Sequence, residues 1–70
     1  MTIYHVEGID QDYVTINSFV TTDFENSLKK GKEMYEQQDI DTVYLNYWEN
    51  ECLIDIRVID KDGKLLDSLI

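Results

Sequence analysis

The sequence has no proline, one cysteine, one histidine and three dispersed glycines. The lone Cys52 excludes an internal disulfide. The only candidate base for a Ser or Cys nucleophile is His5, which lies on a predicted strand near the start of the sequence and is expected as a strand-surface residue. No second His or Cys sits at zinc-ligand spacing from it. No apolar run is long enough to span a membrane, and no basic and apolar leader pattern is present. We therefore expect a cytoplasmic, non-enzymatic protein with no metal or cofactor.

Basic residues are also scarce, with six Lys and Arg against fifteen Asp and Glu, a net charge of −9. Such a charge repels nucleic-acid phosphates and anionic membranes and favours approach to basic protein surfaces. The expected partner is a basic protein, with no direct contact to nucleic acid or membrane. The hydrophobic fraction of 43% is enough for an ordered fold, and the length predicts a single domain over residues 1–70.

Four stretches rich in β-branched and aromatic residues predict strands, at residues 2–7, 13–20, 42–48 and 52–59. Thr22-Asp23-Phe24-Glu25 matches a capping box, which predicts a helix over about residues 23–38 with Thr22 as its N-cap. Gly31 lies on the apolar stripe of that helix and predicts close approach to the sheet. Turns are expected at 8–12, 49–51 and 60–63, and residues 64–69 are expected as a short fifth strand or a packed tail. The fold class is α+β: a β-β-α-β-β(-β) antiparallel sheet with one helix packed on one face.

The alternation assigns each strand residue to one of two faces. Against the helix we expect Val14, Ile16, Val20, Val43, Leu45, Cys52, Ile54, Ile56 and Val58. Their helix partners are Phe24, Leu28, Met34 and Tyr35. The opposite face then carries Tyr13, Phe19, Tyr44, Trp48 and Leu53, interspersed with Thr15, Asn46, Asp55 and Arg57. This second face has three interpretations: a protein-binding surface, a homodimer seam, or a surface covered by Leu65, Leu66, Leu69 and Ile70.

Ten of the fifteen acids form pairs spaced i,i+2. The pairs are Asp10/Asp12, Asp23/Glu25, Asp39/Asp41, Glu49/Glu51 and Asp60/Asp62. Each pair falls where the apolar pattern breaks, so one interpretation is ordinary turn chemistry with solvated acids. The other is an ordered negative array, since i and i+2 lie about 6.5 Å apart in extended chain, a spacing compatible with a phosphate backbone. A third hypothesis, divalent-cation binding at the acidic turns, finds no calcium-loop spacing around Gly63.

In size, acidity and mixed α/β pattern, the chain resembles the small acidic inhibitors that phages and other mobile elements direct against host nucleases. These include anti-CRISPR and anti-restriction proteins that mimic DNA. The likeness covers composition alone, so it carries over no residue.

The leading hypothesis is an inhibitor that occupies a basic, nucleic-acid-binding surface of a protein partner. Its expected binding residues are Asp10, Asp12, Asp39, Asp41, Tyr44, Trp48, Glu49, Glu51, Asp60 and Asp62. The alternative is a homodimeric structural or accessory domain whose acidity serves solubility.

Overall fold

Two antiparallel hairpins joined by one helix make up the fold, which a computed structural model describes for residues 1–66. The elements are β1 (Thr2–Ile9), β2 (Thr15–Thr21), α1 (Phe24–Met34), β3 (Thr42–Glu49) and β4 (Cys52–Ile59). The strands form one sheet in the order β2-β1-β3-β4, and every neighbouring pair is antiparallel. The predicted α+β class, with four antiparallel strands and one helix, is confirmed. In the predicted fifth-strand segment, Leu65 forms an isolated antiparallel bridge with Ile59, and residues 67–70 lie outside the described part.

The first hairpin turns around the side chain of Asp10. Its Oδ1 accepts hydrogen bonds from the N–H groups of Asp12 at 2.8 Å and Val14 at 3.0 Å. Tyr13 has a φ of 64°, in the left-handed region. An extended strand does not accommodate that φ, so β2 begins at Thr15 and not at residue 13 as predicted.

The second hairpin closes on two residues, Asn50 and Glu51, with φ values of 52° and 66°. Positive φ at both central positions gives a turn whose twist matches the twist of the paired strands. Glu49 therefore ends β3, and the prediction that Glu49 belongs to the loop is wrong. The pairing shifts between Tyr47 and Trp48, which leaves Ile54 of β4 out of register.

Helix α1 is shorter than predicted and starts one residue later. Its N-cap is Asp23, whose side chain accepts from the N–H of Asn26, so the prediction of Thr22 as N-cap is wrong. Asp is as good an N-cap as Thr, and the Thr21 hydroxyl accepts from the Asp23 N–H at 3.1 Å. The helix ends at Met34 instead of residue 38, with Tyr35 as its C-cap.

The core lies between α1 and the sheet. Its buried hydrophobic residues are Val6, Met34, Ile40, Val43, Leu45 and Ile59, with Phe24, Leu28 and Tyr35 packed at its margin. A Cβ added at Gly31 would lie 2.5 Å from Ile59 Cδ1. The predicted close approach of the helix to the sheet at Gly31 is thus confirmed.

The predicted faces are right for β3 and reversed for most of β2 and β4. Val43 and Leu45 point towards α1 as expected, but the residues that pack there from the edge strands are Phe19 and Ile59. The prediction is wrong for Val14, Ile16, Val20, Cys52, Ile54, Ile56 and Val58, which all lie outside the core cluster. It is also wrong for Phe19, Asp55 and Arg57, which share the helix side. Cys52, expected to be buried, is exposed.

The reversal follows from what the helix covers. Ile59, the last residue of β4, lies beneath α1, where Gly31 leaves space for its side chain. The rest of that row is only half-buried, so it holds Asp55 and Arg57, whose side chains lie 3.2 Å apart. Because a short helix leaves part of its own side of the sheet open, the charged row of β4 can lie on that side.

On each edge strand, a side chain accepts a hydrogen bond from a main-chain N–H group. In β2 the Asn17 Oδ1 accepts from the Ser18 N–H at 2.9 Å. In β4 the Asp55 Oδ1 accepts from the Ile56 N–H at 2.8 Å. Leu66 N–H also donates to the Val58 carbonyl at 2.9 Å. These two donors and this acceptor are already engaged, so an added strand would find fewer free groups at Ser18, Ile56 and Val58.

Candidate functional site

Six of the eight predicted binding acids meet at one end of the sheet. β1 and β4 end there, β3 begins there, and the Asp41 N–H donates to the Ile9 carbonyl at 2.7 Å. We call this region the aspartate end; it comprises Asp10, Asp12, Asp39, Asp41, Asp60 and Asp62. The antiparallel order thus brings together three pairs that are separated in sequence by roughly twenty or more residues.

Four of these aspartates, Asp10, Asp12, Asp39 and Asp41, line one open groove of about 390 Å³. Gln11, Gln38, Ile16 and Ile40 complete its lining. The groove lies between the β1–β2 turn and the segment that leads from α1 into β3. Its lining includes no Lys or Arg, so its carboxylates concentrate negative charge.

The aspartates divide into those that build turns and those that do not. Asp60 repeats the role of Asp10, because its Oδ1 accepts from the N–H groups of Asp62 and Lys64, both at 2.9 Å. Asp12, Asp39, Asp41 and Asp62 have exposed side chains, and of these Asp41 accepts a hydrogen bond from the Thr42 hydroxyl at 3.2 Å. Turn chemistry therefore accounts for Asp10 and Asp60, whereas Asp12, Asp39 and Asp62 extend into solvent.

Two charges of the aspartate end act on Tyr35, which packs at the margin of the core. Burial raises the pKa of the Tyr35 hydroxyl, and the charges of Asp60 and Asp41 raise this pKa further against the opposing hydrogen bond from Val43. The same hydroxyl donates to the Ile59 carbonyl. Asp41 and Asp60 therefore lie close enough to act on one group, although 18 residues separate them between positions 41 and 60.

The remaining predicted acids, Glu49 and Glu51, lie at the opposite end of the sheet. The pairing of Glu49 with Thr2 and Cys52 places them beside the start of β1 and of β4. The eight acids do not form a single array. They divide into six at the aspartate end and two at the β3–β4 turn.

Tyr44 and Trp48 project from the face of the sheet opposite α1, as predicted, and both are half-buried. We call this surface the outer face. Its apolar residues include Ile3, 41% exposed, and Val20, 60% exposed. Trp48 pairs with Ile3 on β1 and Leu53 on β4. The outer face thus carries apolar residues on all four strands, with Ile3, Val20 and Leu53 exposed.

A polar network lies at the centre of the outer face. Asn46 is buried and donates to Glu7 Oε1 at 2.7 Å and to the His5 carbonyl at 3.2 Å. Glu7 Oε2 accepts from the Thr15 hydroxyl at 3.1 Å. His5 Nε2 lies 2.7 Å from Ser18 Oγ, and the His5 side chain is half-buried.

Sequence reasoning missed Glu7 and His5 as members of this face. The available signal was a carboxylate and an imidazole two positions apart within an otherwise apolar strand. An ionised group at such a position needs partners, and the register supplies Asn46 and Thr15 for Glu7.

An apolar notch of about 290 Å³ opens at the Trp48 end of the outer face. It is lined by Ile3, Val20 and Trp48 together with His5, Asn50 and Glu51. The lining is mainly apolar, and Glu51 is its one acidic residue. We call it the Trp48 notch.

One interpretation of the outer face is that Leu65, Leu66, Leu69 and Ile70 cover it. For Leu65 this is wrong, because its side chain packs against the core cluster on the helix side. Leu66 is 49% exposed. Leu69 and Ile70 lie outside the described residues.

In residues 1–66 no three His, Cys, Asp or Glu side chains form a group that could hold a metal ion. The described chain also contains no helix of the length and apolar character needed to span a membrane. A scan against protein-family models gave no match, and searches of curated proteins and of solved structures also gave none. The arguments for function therefore rest on the surfaces of this chain.

Proposed function

We propose that the protein is a small, acidic, non-enzymatic binding protein that inhibits a partner by occupying its basic, nucleic-acid-binding surface. The aspartate end supplies negative charge, and Tyr44 and Trp48 on the outer face supply apolar anchors. The observation that carries the proposal is the grouping of Asp12, Asp39 and Asp62 at one end of the sheet. Their side chains are exposed, and the described hydrogen bonds of the fold do not use their carboxylates.

Charge of this kind favours encounter with a basic surface, because complementary potentials steer diffusion and exclude acidic competitors. The groove beside Asp39 adds shape to the charge, since it is concave and lined by four carboxylates. A basic site that normally binds phosphates would be complementary to both the negative charge and the concave shape. The compositional resemblance to DNA-mimicking inhibitors supports the same conclusion.

The test is affinity capture from lysate at low salt, followed by stepwise salt elution. The informative variant changes Asp12, Asp39 and Asp62 to Asn, because all three are exposed and the turn-forming Asp10 and Asp60 stay intact. The matched control changes Glu25, Glu33 and Glu36 to Gln. It removes the same three charges from exposed positions in and after α1.

We expect the wild type and the control to recover a nucleic-acid-handling protein that elutes as salt rises and that no longer binds its nucleic acid in the complex. The variant with Asp12, Asp39 and Asp62 changed to Asn should no longer recover this protein. Equal recovery by the two variants, or recovery that is insensitive to salt, would contradict the proposal, since exposed charges are screened over about 8 Å at physiological ionic strength.

A second candidate function is a homodimeric structural or accessory domain, favoured by the exposed apolar residues of the outer face. It predicts a dimer whose population rises with concentration and falls when Val20 is changed to Lys. Sedimentation equilibrium measures this directly. A single monomeric species at millimolar concentration would contradict this alternative.

A further inference from the structure

We propose that the Trp48 notch receives one arginine side chain of the basic partner, with the methylene stem against Ile3 and Val20 and the guanidinium between the Trp48 indole and the Glu51 carboxylate. This inference rests on the proposed function and names the chemical group that the outer face recognises. It assigns Trp48 and Glu51 joint roles at the end of the sheet opposite the aspartates.

The register of the sheet builds the notch. Ile3 pairs with Trp48, and Val20 pairs with His5, so the apolar side chains come from three adjacent strands. The tight Asn50–Glu51 turn adds both of its residues to the lining. The result is an open, mainly apolar depression with one acidic residue, Glu51, in its lining.

A long side chain with an apolar stem and a cationic head fits that arrangement. The stem can lie on apolar surface while the head stays near water. Arginine fits better than lysine, because its planar guanidinium stacks on an indole face and donates a two-pronged hydrogen bond to a carboxylate. No Lys or Arg lines the notch, so its lining offers Glu51 no ammonium or guanidinium group.

Charge also argues against a second copy of the chain as occupant. Arg57 is the only Lys or Arg in the four strands, and it lies on the helix side near Tyr47. The outer face of another copy would therefore bring no cation to Glu51, and two chains of net charge −9 repel each other. A partner whose arginine is set in a basic surface removes both objections.

The test uses the only tryptophan as a reporter. Acetyl-Gly-Arg-Gly-amide is titrated into the full chain while Trp48 fluorescence and amide NMR shifts are followed. The control peptide carries citrulline, which keeps the shape of arginine and lacks its charge. We expect saturable shifts at Ile3, Val20 and Trp48 with the arginine peptide, and at least about threefold weaker binding with citrulline.

Glu51→Gln should weaken arginine binding by about threefold to tenfold, the range of an exposed charge-assisted contact. Glu36→Gln removes the same charge at an exposed position after α1 and should leave it unchanged. Equal binding of the two peptides, or equal effects of the two variants, would overturn the proposal.

The titration is independent of the capture experiment. Absence of any Trp48 response overturns the arginine notch even when salt-sensitive capture succeeds. A preserved Trp48 response together with failed capture overturns the proposed function instead.

Discussion

Tyr35 donates its phenolic proton to the backbone carbonyl of Ile59, which fixes the C-cap of α1 to the last residue of β4. The same oxygen accepts from the Val43 N–H at 3.2 Å, across the pair that Val43 forms with Ile59. One side chain thus joins the helix, β3 and β4 beside the aspartate end.

Replacing Tyr35 by Phe removes both hydrogen bonds and leaves the Val43 donor and the Ile59 acceptor with one partner fewer. We expect the free energy of unfolding to fall by about 1–3 kcal/mol, the cost of leaving such groups unsatisfied. Urea denaturation measures this change in the free energy of unfolding. Tyr13→Phe is the matched control, because Tyr13 is 80% exposed and should show no change. Equal stability of the two variants would refute this role for Tyr35.

Alkaline pH should destabilise the fold. Burial raises the pKa of Tyr35 and of Tyr47, so the folded chain holds both phenolic protons more tightly than the unfolded chain does. Their contribution is complete below the unfolded pKa of about 10 and is lost as pH rises through the folded values. Denaturation midpoints between about pH 9 and 11 should therefore fall. Tyr35→Phe should flatten this decline, and an unchanged slope in that variant would assign the effect to other groups.

Gly31→Ala tests the close contact between α1 and β4. Alanine gains about 1 kcal/mol of helix propensity, but its Cβ meets Ile59, and overpacking costs about 1–3 kcal/mol. We expect a net loss of about 1 kcal/mol in thermal or urea denaturation.

Ile59→Val removes the Cδ1 that lies 2.5 Å from the added Cβ, so the double variant should be more stable than the sum of the single effects allows. Strict additivity would show that the contact is not the cause of the loss.

The two classes of aspartate should respond differently to truncation. Asp10→Ala and Asp60→Ala each remove an oxygen that accepts two backbone N–H groups, and each should cost about 1 kcal/mol of stability. Asp39→Ala removes only repulsive charge and should be neutral or slightly stabilising at low salt. Melting curves at low and high salt test the division. A loss for Asp39→Ala as large as that for Asp10→Ala would contradict it.

The sequence predicts the number, order and approximate bounds of the elements because each is set by local pattern. The contact at Gly31 follows from one small residue on an apolar stripe. The faces of β2 and β4 do not follow. Alternation favours the fully apolar row of β4 for the core, whereas Ile59, from the row that carries Asp55 and Arg57, is the β4 residue that packs under the helix.

The candidate site shows the same division. The acid pairs and the aromatic residues Tyr44 and Trp48 are visible in the sequence. The separation of Glu51 from the aspartate end depends on strand direction. The β1–β2 turn, the segment before β3 and the turn after β4 lie at one end of the sheet, and the β3–β4 turn lies at the other. The Trp48 notch requires Ile3 and Val20 to meet across strands, and no local pattern records that meeting.

The side chains of Asn17 and Asp55 bear on how the protein behaves when it is abundant. A fibril grows when a strand edge offers free donors and acceptors to the next molecule. Here one donor on each edge strand, the Ser18 N–H on β2 and the Ile56 N–H on β4, is bonded to one of the protein's own side chains. Each such bond removes one donor that the next molecule would need, which makes both edges weaker templates for amyloid.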